Sequence, residues 1–376
     1  MGRQFQQILI SNTNTQQLRA LATRSSCVSF IHLSNTMATF LKIAFAVLVG
    51  ILLNVFIFIK ANLPNFEDNG FVRSFLPQSV SITEPFDVPS KSVAIAGQFG
   101  GKLYLTTDDP ATLVAVDMQT RQAKVVNIQR LGDWLATEKV PAGHTALIDS
   151  PYYYVFAFNA PGIYVYNLAR ALPEATYTAD AVFTTGISLS ATRFVLRQYS
   201  PTEKAFRFSR ISHHGETRWE QGVSLPSSDM GLSSDGRLMH DDQTGLLVYE
   251  HYYNNRILVA DTALNEVHSF SLLDTVAPKL RLDPTAPRIM TNSAACLHRG
   301  LLYLCSNLRA DNEPYKEYIK HIPVDIFDVQ TGGYRGSFYL PALDGKLIKS
   351  MAIVKDRLIA LYFNDQIASF TIPALQ

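Results

Sequence analysis

Residues 246–267 read LLVYEHYYNNRILVADTALNEV: two short runs rich in aliphatic and aromatic residues, separated by Tyr-Tyr-Asn-Asn and followed by a polar turn. Such a pattern specifies two antiparallel strands joined by an Asn-based turn. The first run recurs along the chain. It appears as KLYLTT around Tyr104, YYVFAF around Val155, RFVLRQ around Val195, LLYLCS around Tyr303 and LIALYF around Ala360, with successive spacings of 51, 40, 53, 55 and 57 residues. The second run recurs independently: LVAVDMQT at Asp117, IYVYNLAR at Asn167, FSRISHHG at Ser212, VDIFDVQT at Asp328 and IASFTIPA at Thr371 accompany Asp261, at spacings of 50, 45, 49, 67 and 43. Two registers thus give six copies of a unit of about 50 residues, which is the period of a β-propeller blade. One four-stranded sheet cannot bury both its faces, whereas six arranged radially each pack against two neighbours. The fold class is therefore all-β, a six-bladed β-propeller, with seven blades as the alternative.

The last repeat runs out one strand short. The segment 71–88, FVRSFLPQSVSITEPFDV, precedes the first full repeat and is expected to supply that strand, closing the ring and covering an edge. The 67-residue spacing places an insertion at 308–323, LRADNEPYKEYIKHIP, whose charges and prolines suit a surface excursion.

Of the 376 residues, 47% are hydrophobic and 17% charged, which excludes disorder for most of the chain, and a net charge of +1 excludes an electrostatic grip on nucleic acid. The charge is uneven. The first 66 residues carry five basic residues and no acidic one, against 28 basic and 32 acidic residues thereafter. Within the basic piece, 43–59 reads IAFAVLVGILLNVFIFI, flanked by Lys42 and Lys60. That stretch matches the length a bilayer core requires. It is read as an uncleaved single-pass signal anchor over 40–60; a cleavable signal peptide starting at Met37 is the rival, and FIKANLP offers no small-x-small cleavage site. Basic residues before the span and acidic ones after it leave the N-terminus cytoplasmic and the propeller outside. The expected organisation is a polar basic tail or upstream extension at 1–36, the anchor at 40–60, a linker at 61–70 and the propeller at 71–376. Of the three cysteines, Cys27 precedes the span, and Cys296 and Cys305 flank a turn in a diagonal arrangement too long for an unstrained bridge, so free thiols are expected.

The stretches 246–267 and 301–341, LLYLCSNLRADNEPYKEYIKHIPVDIFDVQTGGYRGSFYLP, resemble a family of membrane-anchored, TolB-like six-bladed propellers of Bacteroidetes. The resemblance covers most of 71–374. It implies a sensor or scaffold more than an enzyme, which with the propeller outside would face the periplasm, and a partner among DoxX- or MauE-like integral membrane proteins. It carries over no catalytic motif.

Local motifs read as turns. Gly97-Gln-Phe-Gly-Gly-Lys102 lacks the Ser or Thr and the helix of a phosphate loop, His213-His214-Gly-Glu216 lacks a second ligand pair, and Asp241-Asp242 lacks the spaced carboxylates of a calcium loop. No cofactor or metal is expected. Propeller geometry instead directs attention to one face. The loops between second and third strands and the linkers leading into each blade emerge together around the channel. They bring His144, Asn159, Arg197, Tyr252, Asn292 and Asn307 forward as binding candidates. The leading functional reading is a non-enzymatic, membrane-tethered binding or scaffolding module. The alternative is a calcium-dependent hydrolase of the lactonase type, with Asn159, Asn307 and Asp108 or Asp109 as ligands and no Glu placed at the mouth.

Overall fold

The computed structural model describes residues 39–56, 69–77, 80–138, 143–158, 162–213, 215–227, 229, 231–274 and 290–372. They fall in two units, Met1–Glu67 and Asp68–Gln376. The first contains helix α1 (Thr39–Phe56), 18 residues with mean hydropathy 2.2 and no part of it buried. It covers most of the expected anchor; 57–60 lie outside the described residues, as do Cys27 and the rest of 1–36.

The second unit is a ring of six four-stranded antiparallel sheets. Blade 1 comprises β2 (Ile95–Phe99), β3 (Lys102–Thr106), β4 (Thr112–Asp117) and β5 (Gln122–Asn127); blade 2 comprises β6 (His144–Asp149), β7 (Tyr152–Ala157), β8 (Gly162–Asn167) and β9 (Leu172–Thr178). Blade 3 is β10 (Phe183–Ser190), β11 (Arg193–Ser200), β12 (Ala205–His213) and β13 (Thr217–Leu225); blade 4 is β14 (Gly236–Asp241), β15 (Leu246–His251), β16 (Arg256–Asp261) and β17 (Glu266–Ser271). Blade 5 holds β18 (Asn292–His298), β19 (Leu301–Ser306), β20 (His321–Asp328) and β21 (Tyr334–Pro341). Blade 6 holds β22 (Ile348–Val354), β23 (Arg357–Tyr362), β24 (Gln366–Thr371) and, from the start of the unit, β1 (Phe86–Asp87).

The blade count follows from packing. Buried side chains separate into six apolar clusters, one for each interface between neighbouring blades, including the closing interface where Leu103 and Leu105 meet Ile359, Leu361 and Ile367. Strand β15 shows why its sequence is apolar without a polar alternation. Leu247 and Tyr249 pack towards blade 3, and Val248 packs towards blade 5. A strand buried on both faces must satisfy two cores. Aromatic pairs add geometry to the area they bury, among them Tyr154 edge-on to Phe194 at 5.5 Å and Phe208 edge-on to Tyr249 at 5.2 Å.

Closure uses the expected segment, but only its second half. Phe86 pairs with Ile367 and Asp87 with Gln366, and the amides of Thr83 and Val88 donate to Ser369 O and Asp365 O. The first half is bound to blade 5 instead. Ser74 and Leu76 exchange backbone bonds with Ser337, and Phe75 stacks on Tyr339 at 4.4 Å. The reason is Arg73, whose fully buried guanidinium bonds Asp325 and Glu313. Glu313 lies in the 308–323 insertion. That insertion is therefore a surface excursion only in part: its helix α3 (Tyr315–Tyr318) is outward, while Ala310 and Glu313 are buried. A second helix, α2 (Gln129–Thr137), links blades 1 and 2. Its Leu131 and Leu135, four apart on one face, join the core between those blades.

Candidate functional site

In a propeller each innermost strand begins, and each second strand ends, on the same face around the channel. Arg237, second in β14, and Glu250, next to last in β15, are cross-strand partners at that end of blade 4. Both point towards blade 5, because Met239 and Val248, two residues along each strand, pack there. Glu250 is fully buried. Its Oε2 accepts a bond of 2.9 Å from Arg237 Nη1, and its Oε1 has no partner among the described residues. Arg237 Nη2 donates to Ser293 O at 3.1 Å, and the guanidinium stands 5.5 Å from the Tyr252 ring. Burial pushes the Glu250 carboxyl up to about 7, opposed by Arg237.

Hydrogen bonds extend this pair into a wall across three blades. The Tyr252 amide donates to Asp235 O, the Thr291 amide to Tyr252 O, and the Asn307 amide to Thr291 O. On the blade 3 side, Arg197 bonds Thr184 Oγ1 at 2.7 Å, Gly231 O at 2.9 Å and Ser234 Oγ at 3.1 Å, with Asp235 at 3.4 Å and the Phe206 ring at 3.7 Å. His251, beside Glu250 in sequence, faces Arg256 O through Nδ1, and burial lowers it to about 4.

Of the six residues chosen from sequence, this arrangement links four. Tyr252, Asn292 and Asn307 lie at adjoining loop and strand ends of blades 4 and 5, and Arg197 joins them through Asp235. Arg197 is 1% exposed, so its visible role is to fasten blade 3 to the loop leading into blade 4. Asn292 is equally buried and donates to Thr291 Oγ1. Asn307 donates to Met290 O, while its Oδ1 has no partner among the described residues. His144 opens β6 in blade 2, away from this wall. Asn159 lies outside the described residues. Asn254 and Asn255 do ordinary turn work: Asn254 Oδ1 accepts from the Arg256 amide, and Asn255 Nδ2 donates to Asp274 O.

Sequence reasoning missed Arg237 and Glu250. Counting from each hairpin turn, the fifth residue of the second strand is Thr106, Phe156, Arg197, Glu250, Cys305 and Leu361 in blades 1 to 6. Two successive charged residues, Arg197 and Glu250, at a position otherwise uncharged were the available signal.

Among the described residues no group of three or more His, Cys, Asp or Glu side chains converges as a metal would require. Asp109 turns onto its own loop, accepting from the Ala111 amide at 3.0 Å and from Thr112 Oγ1 at 2.6 Å. Cys296 and Cys305 are free and buried. Burial pushes the Cys296 thiol up to about 12 and that of Cys305 well above its ordinary value, so both stay protonated.

No family model matches the chain, and no curated protein sequence matches it. Solved structures do align with it. A virginiamycin B lyase from Staphylococcus aureus aligns at 10% identity and TM-score 0.48, over 78% of this chain and 100% of that one. A member of the DUF4221 family from Bacteroides vulgatus aligns at 12% identity and TM-score 0.46, over 79% and 98%. Raptor from Chaetomium thermophilum aligns at 10% identity and TM-score 0.46, over 77% of this chain and 29% of that one. At such identities and TM-scores none of these likenesses bears on activity.

Proposed function

We propose that this chain is a single-pass, membrane-tethered binding module of the TolB-like kind, with its propeller on the periplasmic side and its contact surface at the channel mouth of blades 3 to 5. The observation that carries the reading is the wall itself. A plain strand end needs no Arg–Glu pair with a fully buried carboxylate, yet here Arg237, Glu250, Tyr252 and Asn307 adjoin, with acceptors on Glu250 and Asn307 unused among the described residues. Polar groups converging at one mouth are what a binding site requires, and Tyr252 adds flat contact area at low entropic cost. The apolar, fully exposed α1 supports tethering, and the acid-free first 66 residues support a cytoplasmic N-terminus. Tethering raises the effective concentration of membrane partners, such as an integral protein of the DoxX or MauE type, so weak intrinsic affinity suffices.

Two experiments test it. A photoreactive residue at position 252 is expected to capture a partner in native membranes, while the same residue at 216, in the turn between the third and fourth strands of blade 3, captures none. Capture from 216 alone, or equally from both, places the contact surface elsewhere. Protease added to spheroplasts is expected to digest the propeller; a protected propeller reverses the orientation.

A further inference from the structure

The two ends of the propeller differ in what they expose. Val93, Val182, Met290 and Leu347 stand just before the innermost strands of blades 1, 3, 5 and 6, and Phe363 follows the second strand of blade 6; all five are exposed, Phe363 at 58%. These positions lie on the channel-mouth face. Helix α3, in the loop between the second and third strands of blade 5, adds exposed Tyr315 and, at its cap, exposed Ile319, four residues apart and so on one side of the turn. The opposite face carries the turns between first and second strands and between third and fourth. Among the described residues no large apolar side chain is exposed in those turns. The remaining exposed large apolar side chains of the propeller unit lie on outermost strands or on segment 71–88. Exposed apolar residues scattered singly are ordinary, whereas a set gathered on one face marks an interaction surface.

The route of the chain indicates what covers this face. Asn69 and Gly70, the first described residues of the propeller unit, donate their amides to Asp311 Oδ1 and Oδ2 at 2.7 and 3.0 Å, and Asn69 Nδ2 donates to Arg309 O at 2.8 Å. Arg309 and Asp311 belong to the same loop as α3. The polypeptide arriving from α1 therefore joins the propeller on the mouth face, and the twelve residues between Phe56 and Asn69 can span at most about 45 Å. The side chains suit a lipid headgroup layer. Lys316 and Lys320 follow Tyr315 and Ile319 directly, and Lys349 Nζ stands 5.8 Å from the Phe363 ring. An aromatic or aliphatic group that enters the layer beside a lysine reaching back to phosphate is the usual interfacial arrangement. Glu317, Asp344 and Asp365 share the face, so apolar insertion and not net charge must hold it.

We propose that the channel-mouth face rests on the lipid surface of the membrane that holds α1, with Tyr315, Ile319 and Phe363 inserted at headgroup level. This deepens the reading above and rests on its membrane tether. A mouth turned towards the bilayer meets a partner that is itself embedded there.

The test uses the full chain with Cys27→Ser and one added cysteine, Ile319→Cys, Phe363→Cys or Glu216→Cys, labelled with a nitrobenzoxadiazole fluorophore. The labelled chain is reconstituted in vesicles of phosphatidylethanolamine and phosphatidylglycerol. Cys296 and Cys305 are buried, so one label per chain also reports an intact fold. At 319 and 363 the emission is expected to shift to the blue and to be largely quenched by lipids bearing a nitroxide near the headgroup. At 216, on the opposite face, neither should occur. Quenching should persist in ~1 M salt, where charges are screened beyond about 3 Å. No quenching at 319 and 363, equal quenching at 216, or quenching lost in salt overturns the proposal. A chain that alkaline carbonate strips from the vesicles removes the tether and the proposal together. In a chain that stays, photocapture at 252 without lipid quenching retains the partner surface and removes the lipid contact; quenching without photocapture does the reverse.

Discussion

Arg73→Ala is expected to destabilise the propeller by about 3–5 kcal/mol, the cost of leaving buried charges without their partner. The guanidinium reaches Asp325 through two bonds, Nε to Oδ1 at 2.8 Å and Nη2 to Oδ2 at 3.1 Å, and it also bonds Glu313 and Leu308 O. The side chains of Glu313 and Asp325 are 0% and 6% exposed. Truncating Arg73 therefore strands two carboxylates in one dry space. Neither can be hydrated, and each disfavours ionisation of the other. Tyr339 donates to Glu313 at 2.7 Å and Ser337 to Asp325, so neither carboxylate can swing out without breaking further bonds. Tm should drop on the order of 10 °C for a domain of this size. Arg73→Lys should recover only part of the loss, because an ammonium cannot fork between two carboxylates. The discriminating variant is triple: Arg73→Met with Glu313→Gln and Asp325→Asn removes all three charges together and should be more stable than Arg73→Ala alone. An Arg73→Ala protein melting with the parent would show that the cluster contributes nothing to stability.

This cluster marks the limit of what the sequence discloses. Periodicity revealed six blades because every second strand meets the same demand, an apolar side chain towards each neighbour, as Leu247, Val248 and Tyr249 show. Closure was legible for the same reason: the last repeat lacked a strand and 71–88 could supply it. Arg73 was not legible as a clamp, since its partners lie 240 and 252 residues away and no local pattern encodes such a pairing. Nor was α2, whose Leu131 and Leu135 make a single apolar stripe too short to stand out against strands. The channel mouth fell between these cases. Loops and blade-entry segments pointed to Tyr252, Asn292 and Asn307, which adjoin in space, but not to Glu250, which lies inside the strand LLVYEH.

The pH dependence of stability should expose Glu250 and His251 as opposing neighbours. Glu250 has its ordinary value of 4.5 raised to about 7 by burial. Between those values the unfolded chain has released the proton that the native state still holds, so Glu250 makes stability fall as pH rises from 4.5 to 7. His251 is the mirror case, lowered by burial from 6.5 to about 4. There the unfolded chain binds a proton that the native state refuses, so stability falls as pH drops from 6.5 to 4. Each slope amounts to about 1.4 kcal/mol per pH unit, and where the two windows overlap they cancel. Glu250→Gln removes one of them. Its stability relative to the parent should therefore climb by about 3 kcal/mol as pH rises from 4.5 to 7. His251→Gln, which keeps a donor for Arg256 O, should leave the falling slope alone and lose stability over the same range. Groups elsewhere titrate alike in all three proteins, so differences between their urea midpoints isolate these two side chains. A Glu250→Gln curve parallel to the parent at every pH would mean that Glu250 is already ionised in the folded state. Its Oε1 would then have found a donor, and burial would not be holding the carboxyl neutral.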